Sequence, residues 1–247
     1  MTRRNFLLYS STVTATVASG SALESSDMFL SQNEYKSLIS LDLKLRQIKR
    51  YVGFGNFNLL SYEDSLKIAA RVPKIGRFTK EEIELTYKFF YENPSKYGFY
   101  GERTCFNINN KISKKDVVKI PHSGHYIFKG KSTHDYNRII SDIGDTLYLT
   151  SGVRNVVKQL SLYCSKLKSL KGNMTQASLD IAPPSHSFHT IGDFDVGKMG
   201  LGGKNFTSAF AKTKEFHQMT QLEYIHIRYS PNNLDGVRYE PWHVKIV

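Results

Sequence analysis

The feature that most constrains the fold is a change in the hydrophobic pattern near Asp116. Before this point apolar residues recur at helical spacing, most clearly from Gln32 to Tyr51, where the spacing predicts a long amphipathic helix. After it, short apolar or alternating runs typical of β-strands are separated by further helical segments. We therefore expect an α+β fold, in which an antiparallel sheet is flanked by helices and preceded by a helical N-terminal extension.

Local signals place the individual elements. Ser61-Tyr-Glu-Asp64 and Thr79-Lys-Glu-Glu82 each set a hydroxyl residue three positions before a carboxylate, an arrangement typical of a helix start. Residues 178–184 are predicted to be extended or turning. In the C-terminal part we further predict helices over 136–143, 153–170 and 207–216, a strand over 146–150, and a final antiparallel pair over 224–229 and 239–247.

The first residues have the order of an export signal. Paired arginines, Arg3 and Arg4, precede a mildly apolar stretch and then the small residues 19–22, which is typical of a twin-arginine signal cleaved near Ala22. The alternative is an amphipathic or disordered N-terminus in which the two arginines occur by chance. We predict three segments: an export signal over 1–22, a helical region over 23–115 and a mixed catalytic domain over 116–247. The exported protein would reside in the periplasm or cell envelope.

Composition and charge exclude some classes of protein. No apolar run after the N-terminus approaches the length of a transmembrane helix, so we expect no membrane span after signal removal. The formal net charge of +12 would attract polyanions. However, the lysines are scattered and form no recognisable nucleic-acid module, so we expect no nucleic-acid partner and consider an anionic cell wall instead.

Cys105 and Cys164 are the only cysteines. Two are too few for a cysteine-based zinc framework, but an exported protein can pair two cysteines. A disulfide and two buried free thiols both remain open at this point.

Two motifs in the C-terminal half contain residues suited to metal chemistry. Ser187-Phe-His189-Thr-Ile-Gly192-Asp-Phe-Asp195 supplies a histidine and an aspartate, with a glycine between them that permits a tight turn. Glu240-Pro-Trp-His243 supplies a second histidine and a glutamate at the entry to a strand, because Pro241 disfavours a helix there. Each residue alone has an ordinary structural interpretation. Together they provide three ligands and a nearby carboxylate, which is the set that catalytic zinc requires.

These motifs resemble those of the VanY-like D-alanyl-D-alanine carboxypeptidases, a zinc peptidase family that also includes D,D-dipeptidases and is related to the hedgehog signalling domain. A third segment, Ser151-Gly-Val-Arg154-Asn-Val-Val-Lys-Gln159, resembles the family's Ser-Gly-Tyr-Arg-Ser-x-x-x-Gln. The resemblance covers about residues 119–247. There are two departures: the His189 to Asp195 spacing is one residue shorter than usual, and Val153 replaces the family's tyrosine.

The resemblance implies a role for each matched residue. His189, Asp195 and His243 would hold one zinc ion per chain, and Glu240 would act as general base. Arg154 would contact the substrate or the developing oxyanion. Supporting substrate contacts would come from Gln159 and Ser187.

Two alternative ligands remain open. Asp193 alternates with Asp195 along an extended segment and would face the same side, which makes it the second choice for the carboxylate ligand. His186 is seven residues before Asp193, but that register loses the match to the family motif, so a role beside the ligands or facing solvent is favoured. The other histidines have no motif partner: His122, His125, His134, His217 and His226.

The resemblance implies a zinc-dependent D-alanyl-D-alanine carboxypeptidase that acts on the stem peptides of peptidoglycan through metal-activated water. The same site would also serve a peptidoglycan endopeptidase or an L,D-carboxypeptidase. A non-catalytic wall-binding module is a third alternative. The presence of Glu240 argues against the last, because a structural zinc ion needs no general base.

Overall fold

A computed structural model describes residues 27–246 and has the predicted α+β architecture. The predicted export signal lies outside the described residues. None of the described helices has the length and apolar character needed to cross a membrane. The helices are α1 (Gln32–Val52), α2 (Phe54–Leu59), α3 (Tyr62–Arg71), α4 (Lys80–Tyr91), α5 (Lys131–Ile143), α6 (Val156–Ser169), α7 (Met174–Asp180) and α8 (Lys214–Met219). The strands are β1 (Val117–Lys119), β2 (Tyr126–Phe128), β3 (Leu147–Ser151), β4 (Phe194–Lys198), β5 (His226–Ile227) and β6 (His243–Lys245).

The N-terminal helices begin where their caps predict. In α4 the Thr79 hydroxyl accepts a hydrogen bond from the backbone N–H of Glu82, whose carboxylate accepts one from the backbone N–H of Thr79. The same reciprocal pair, Ser31 and Glu34, starts α1, and Ser61 caps α3. These side chains satisfy backbone donors that have no partner inside the helix. The predicted starts of α3 and α4 are confirmed.

A helical core joins the N-terminal helices to the C-terminal part of the chain. Helix α1 packs along α6, and the two contribute buried residues such as Leu41, Leu45 and Leu160 to one cluster. Helix α6 is therefore covered on more than one side, which explains its high apolar content. The predicted boundary at residue 115 remains a prediction.

The main sheet has four antiparallel strands in the order β3-β4-β6-β5, while β1 and β2 form a separate pair. One face of the main sheet is covered by α5 and α8 through a second core, which includes Ile139, Leu149, Phe194, Met219 and Val244. The predicted C-terminal pair is confirmed in its central part, where β5 pairs with β6. This sheet fixes the relative positions of residues from three distant segments.

Two local predictions were wrong. Residues 207–216 form no continuous helix: a short 3-10 turn, Phe210–Lys212, is followed by α8. The break occurs because Thr213 is extended and its hydroxyl caps α8 by accepting from the N–H of Phe216. The stretch over 178–184, predicted to be extended or turning, starts inside α7, which is capped by Asn173 and ends at Asp180, so the prediction is wrong for residues 178–180 alone.

Both cysteines are free thiols buried in the helical core. Burial raises the pKa of Cys105 and of Cys164. High-pKa thiols in apolar surroundings are unreactive, so these two residues act as small core side chains. Of the two alternatives left open by the sequence, the structure has the free thiols.

Candidate active site

The register of the main sheet brings residues from three strands into one row. Asp195 on β4 lies opposite Ser151 on β3 and opposite His243 on β6. Directly opposed residues of antiparallel strands have side chains on the same face at short range. The carboxylate of Asp195 and the imidazole of His243 are therefore neighbours although the residues are far apart in sequence.

A tight turn adds His189 to this row. His189 lies in the 3-10 turn Phe188–Thr190, and Gly192 then takes a backbone φ of 140°, which favours glycine, before β4 begins. His189 Nε2 is 3.3 Å from Asp195 Oδ1, and one ligand atom from each of His189, Asp195 and His243 lies within 4.8 Å of the other two. All three side chains are buried. The shortened spacing between His189 and Asp195 therefore still allows the two side chains to meet.

Hydrogen bonds fix which nitrogen of each histidine faces the centre. The carbonyl oxygen of Gly152 is 2.8 Å from His189 Nδ1, so that nitrogen carries the proton and Nε2 keeps its lone pair. Gly152 must be glycine, because a Cβ there would lie 2.0 Å from the carbonyl oxygen of Tyr126. In His243 the order is reversed: Nε2 is 3.1 Å from Asp193 Oδ2, which leaves Nδ1 facing Asp195.

The centre has the properties of a cation site. His189 Nε2 and Asp195 Oδ1 are fully buried, yet neither makes a hydrogen bond within the described part of the chain. Buried polar atoms without partners are costly, and two such atoms facing each other with His243 Nδ1 fit a shared cation. Imidazole nitrogens and a carboxylate oxygen are ligands that zinc accepts.

Asp193 is engaged elsewhere. Its carboxylate accepts two hydrogen bonds from Arg228, at 2.7 and 3.1 Å, and one from the backbone N–H of Ile246 at 3.0 Å. Despite the opposing effect of burial, the hydrogen bonds from His243 and Arg228 lower the pKa of Asp193 to about 2. Both oxygens of Asp193 are occupied and one of them faces His243, whereas Asp195 Oδ1 has no hydrogen-bond partner among the described residues. Arg228 was missed by sequence reasoning, since nothing in residues 224–229 marked its partner.

Glu240 lies beside the three converging side chains. Its Oε2 atom is 3.3 Å from His243 Nδ1. Burial raises the pKa of Glu240 above its ordinary value, against the opposing effect of the neighbouring His243. A carboxylate whose pKa is moved towards neutrality is a better proton acceptor at physiological pH. Pro241 and Trp242 form a turn before β6, so His243 is the first residue of a strand, as the sequence predicts.

Arg154 contacts Asp195 directly. Its Nη2 donates to Asp195 Oδ2, and its Nε donates to the hydroxyl of Ser151 at 2.8 Å. Burial alone would raise the pKa of Asp195, but His189 and Arg154 lower it well below the ordinary range. Arg154 therefore holds one carboxylate oxygen in place while the other faces the two histidines.

These residues open onto a cleft of about 430 Å³. Arg154, Asp195, Glu240 and Trp242 form part of its wall. A larger groove of about 720 Å³ elsewhere contains none of the predicted site residues. The smaller cleft is therefore the candidate active site.

The family model for VanY, D-alanyl-D-alanine carboxypeptidase, matches residues 131–247. These residues form a VanY-family domain. They include every residue predicted to act at the site. No curated protein matches the chain.

Three solved structures are similar to the chain that contains this VanY-family domain. The LdcB LD-carboxypeptidase has a TM-score of 0.50 at 22% identity, covers 63% of this chain and is covered over 78% of its own length. The VanY D,D-pentapeptidase from a VanB-type vancomycin resistance cassette, in complex with Zn(II), has a TM-score of 0.44 at 18% identity, with 61% and 88% covered. VanYB in complex with D-alanine-D-alanine has a TM-score of 0.41 at 21% identity, with 58% and 84% covered. At such an identity the similarity to LdcB is one of fold.

Two predicted substrate contacts of the VanY-family domain lie behind the cleft wall. Gln159 is buried on α6, where its amide donates to the carbonyl oxygen of Ala182 at 2.8 Å. Ser187 is buried two residues before His189, and its carbonyl oxygen accepts a hydrogen bond from the Thr104 hydroxyl. Neither is among the residues that line the cleft. Their predicted role in substrate binding remains a prediction.

His186 is outside the metal-ligand group. Its Nδ1 is 3.0 Å from the hydroxyl of Ser185, and its ring packs edge-on against Phe99. Burial and the nearby Arg103 lower the pKa of His186 to about 4, so it is a neutral side chain of the interior. The three converging ligand atoms in the VanY-family domain come from His189, Asp195 and His243.

Proposed function

We propose that this chain is a zinc-dependent D-alanyl-D-alanine carboxypeptidase that removes the terminal D-Ala from peptidoglycan stem peptides. The observation that carries the proposal is the meeting of His189 Nε2, Asp195 Oδ1 and His243 Nδ1 beside the buried Glu240 in a VanY-family domain. His189, Asp195 and His243 would hold one zinc ion per chain. A bound zinc ion supplies Lewis acidity towards a carbonyl group and lowers the pKa of water towards about 7.

Proton transfer and stabilisation of negative charge fall to residues of the chain itself. Glu240 is the general base: its carboxylate takes a proton from the attacking water and returns one to the leaving amine. Its burial supports this role because the same burial raises its pKa. Arg154 fixes Asp195 through one N–H group and lies on the cleft wall, where its positive charge stabilises negative charge on the reacting carbonyl oxygen.

Asp193 and Arg228 position His243 in the proposed mechanism. The Asp193 carboxylate accepts from His243 Nε2 and is itself held by two bonds from Arg228. Carboxylates that bind the second nitrogen of a ligand histidine fix its tautomer and ring orientation. This arrangement keeps Nδ1 of His243 turned towards Asp195 and Glu240.

Export to the periplasm or cell envelope is part of the proposal. The twin-arginine pattern in residues 1–22 supports it, and the positive net charge would retain the protein on an anionic wall. LdcB, which has the same fold, is an LD-carboxypeptidase, so L,D-carboxypeptidase action is the second candidate. The two candidates differ in the bond that is cleaved, which a product analysis resolves.

The central test is release of D-Ala from a pentapeptide stem by the purified chain. We expect release to stop when a chelator removes the metal and to return when zinc is added. Mass analysis of the digested muropeptides should find the loss of one D-Ala per stem and intact cross-links. An inactive metal-free preparation that zinc does not restore would contradict the proposal, and cleaved cross-links would indicate an endopeptidase.

The assignment of Asp195 as ligand gives a separate prediction. Asp193→Asn should weaken zinc binding by about 10–100-fold, as expected for loss of a supporting hydrogen bond. Asp195→Asn should weaken it further, because it removes a ligand charge. Competition with a chromophoric chelator measures both dissociation constants, and thermal melting of the metal-free variants checks folding. Weaker binding by Asp193→Asn than by Asp195→Asn would reverse the assignment.

A further inference from the structure

Lys158 is a buried lysine on the wall of the cleft, and it has no carboxylate partner in the described part of the chain. It lies on α6 and is only 7% exposed. Burial, followed by the positive charges of Arg154 and Lys49, lowers the pKa of Lys158 to about 7. Other lysines of the same helix are paired: Lys166 is 2.6 Å from Asp180, and Lys168 is 3.2 Å from Asp42. The unpaired state of Lys158 is therefore a local exception.

Two neighbours of Lys158 complete a small polar and aromatic group. The Lys158 Nζ atom lies 5.1 Å from the ring centre of Phe54, which in turn packs edge-on against His125 at 4.8 Å. His125 is 8% exposed, and its Nδ1 atom is buried without a hydrogen-bond partner among the described residues. All three residues line the same cleft as Arg154 and Glu240. We call Phe54, His125 and Lys158 the Lys158 pocket.

The charges around the Lys158 pocket do not balance. Arg154 is neutralised by Asp195 through their direct hydrogen bond, but nothing comparable faces Lys158. The face of Phe54 offsets only part of the cost of burying an ammonium group. An anion that entered the cleft would gain a charge-assisted hydrogen bond from Lys158. In its Nδ1–H tautomer, His125 would offer a second donor.

We propose that the Lys158 pocket binds the free terminal carboxylate of the peptide substrate. The inference rests on the proposed carboxypeptidase function, because the terminal carboxylate is the anionic group that every substrate of such an enzyme carries. Ser151 and Asp195 hold Arg154 at the metal-ligand side, where it can serve the reacting carbonyl. Lys158, four residues further along the chain, supplies the unpaired cation in the same cleft.

This assignment explains how the cleft would select a chain end. A peptide whose last residue is amidated or cross-linked offers no carboxylate to Lys158 and gains no charge-assisted hydrogen bond from it. A buried polar group left without a partner produces strong discrimination against the wrong ligand. The Lys158 pocket would therefore favour removal of one terminal residue over cleavage within a cross-link.

The test compares N-acetyl-D-alanyl-D-alanine with its C-terminal amide. Binding is measured by calorimetry with zinc added, in a Glu240→Gln background that prevents hydrolysis. With Lys158 intact, the acid should bind about 10–100-fold more tightly than the amide, the range expected for a hydrogen bond to a charged group. Lys158→Met keeps most of the length of the side chain but removes the amine, so it should abolish this preference, while Lys158→Arg should keep most of it.

The matched control is Lys168→Met, the same substitution on the same helix outside the cleft, which should keep the acid preference. Thermal melting checks folding, and Lys158→Gln replaces Lys158→Met if the latter does not fold. An undiminished acid preference without Lys158 would overturn the proposal. So would an equal weakening of acid and amide, or a fall in kcat with KM unchanged when Glu240 is intact.

The same measurements separate this inference from the proposed function. If the native chain releases no D-Ala but binds the acid in a Lys158-dependent manner, the carboxylate site stands and the proposed reaction is wrong. If the native chain releases D-Ala and Lys158→Met changes neither KM nor the acid preference, the reaction stands and this inference is wrong.

Discussion

Replacing Glu240 with glutamine is expected to reduce kcat for D-Ala release by about 10²–10⁴-fold, the usual contribution of a general base. Glutamine has nearly the shape of glutamate but cannot accept a proton from water at neutral pH. Because Glu240 lies beside His243 and is not one of the three converging ligand residues, bound zinc and KM should change little. The measurements are steady-state kinetics on a pentapeptide stem and the zinc content of the purified variant.

Glu215→Gln provides the matched control for this substitution. Glu215 is also a buried glutamate of the C-terminal part, but it pairs with Lys198 and Thr146 and does not line the cleft. Its loss should leave kcat unchanged. Full activity of Glu240→Gln would exclude Glu240 as the base. Loss of zinc together with activity would instead make Glu240 part of the metal site.

Much of the fold could be predicted because its signals are local. The start of α4 depends on a hydroxyl and a carboxylate three residues apart, and these residues form the predicted hydrogen bonds. The helix break at Thr213 was not predicted, because the local signal there is ambiguous. Threonine is compatible with a helix interior and with a helix cap, and only the structure of the surrounding turn decides between them.

The candidate site was only partly predictable. Motif order indicated His189, Asp195 and His243, and the structure brings these three together. The hydrogen bonds that orient these three side chains depend on the sheet register and on chain segments far away in sequence. The carbonyl oxygen of Gly152 selects the free nitrogen of His189, and Arg228 occupies the competing carboxylate of Asp193. No spacing rule contains this information.

Lys158 and His125 illustrate a second limit of sequence reasoning. His125 has no motif partner, and Lys158 resembles any other lysine of a basic helix. Their special character arises from what surrounds them: within the described residues, Lys158 is buried without a carboxylate partner, and His125 has a ring nitrogen without a hydrogen bond. Burial and missing partners are properties of the folded chain, so they emerge only when α6 packs against the cleft.

The row across β3, β4 and β6 explains why the proposed metal site is compatible with a stable sheet. Ser151, Asp195 and His243 are at directly paired positions, so the backbone hydrogen bonds of the strands hold their side chains together before any ion binds. The opposed carboxylate and imidazole groups need not be brought together by the metal. Preorganisation of this kind reduces the entropy that binding must overcome.

Replacing His189 with glutamine is expected to remove zinc binding and D-Ala release together. The variant loses the ligand nitrogen, so its zinc affinity should fall by more than the ~10–100-fold that follows loss of a supporting hydrogen bond. The measurement combines chelator competition with thermal melting, because a ligand that binds only the folded state stabilises it by about 2.7 kcal/mol at a hundred times its Kd. Zinc should raise the melting temperature of the native chain but not that of His189→Gln.

His186→Gln tests the register of the ligand motif with the same substitution three residues earlier. His186 contacts Ser185 and Phe99 and lies outside the group of converging ligand atoms. This variant should therefore keep zinc affinity, the zinc-dependent rise in melting temperature and D-Ala release, even if loss of its packing lowers the melting temperature of the metal-free protein. If zinc were lost from His186→Gln and kept by His189→Gln, the alternative ligand register with His186 would be correct and the match to the family motif would be misaligned.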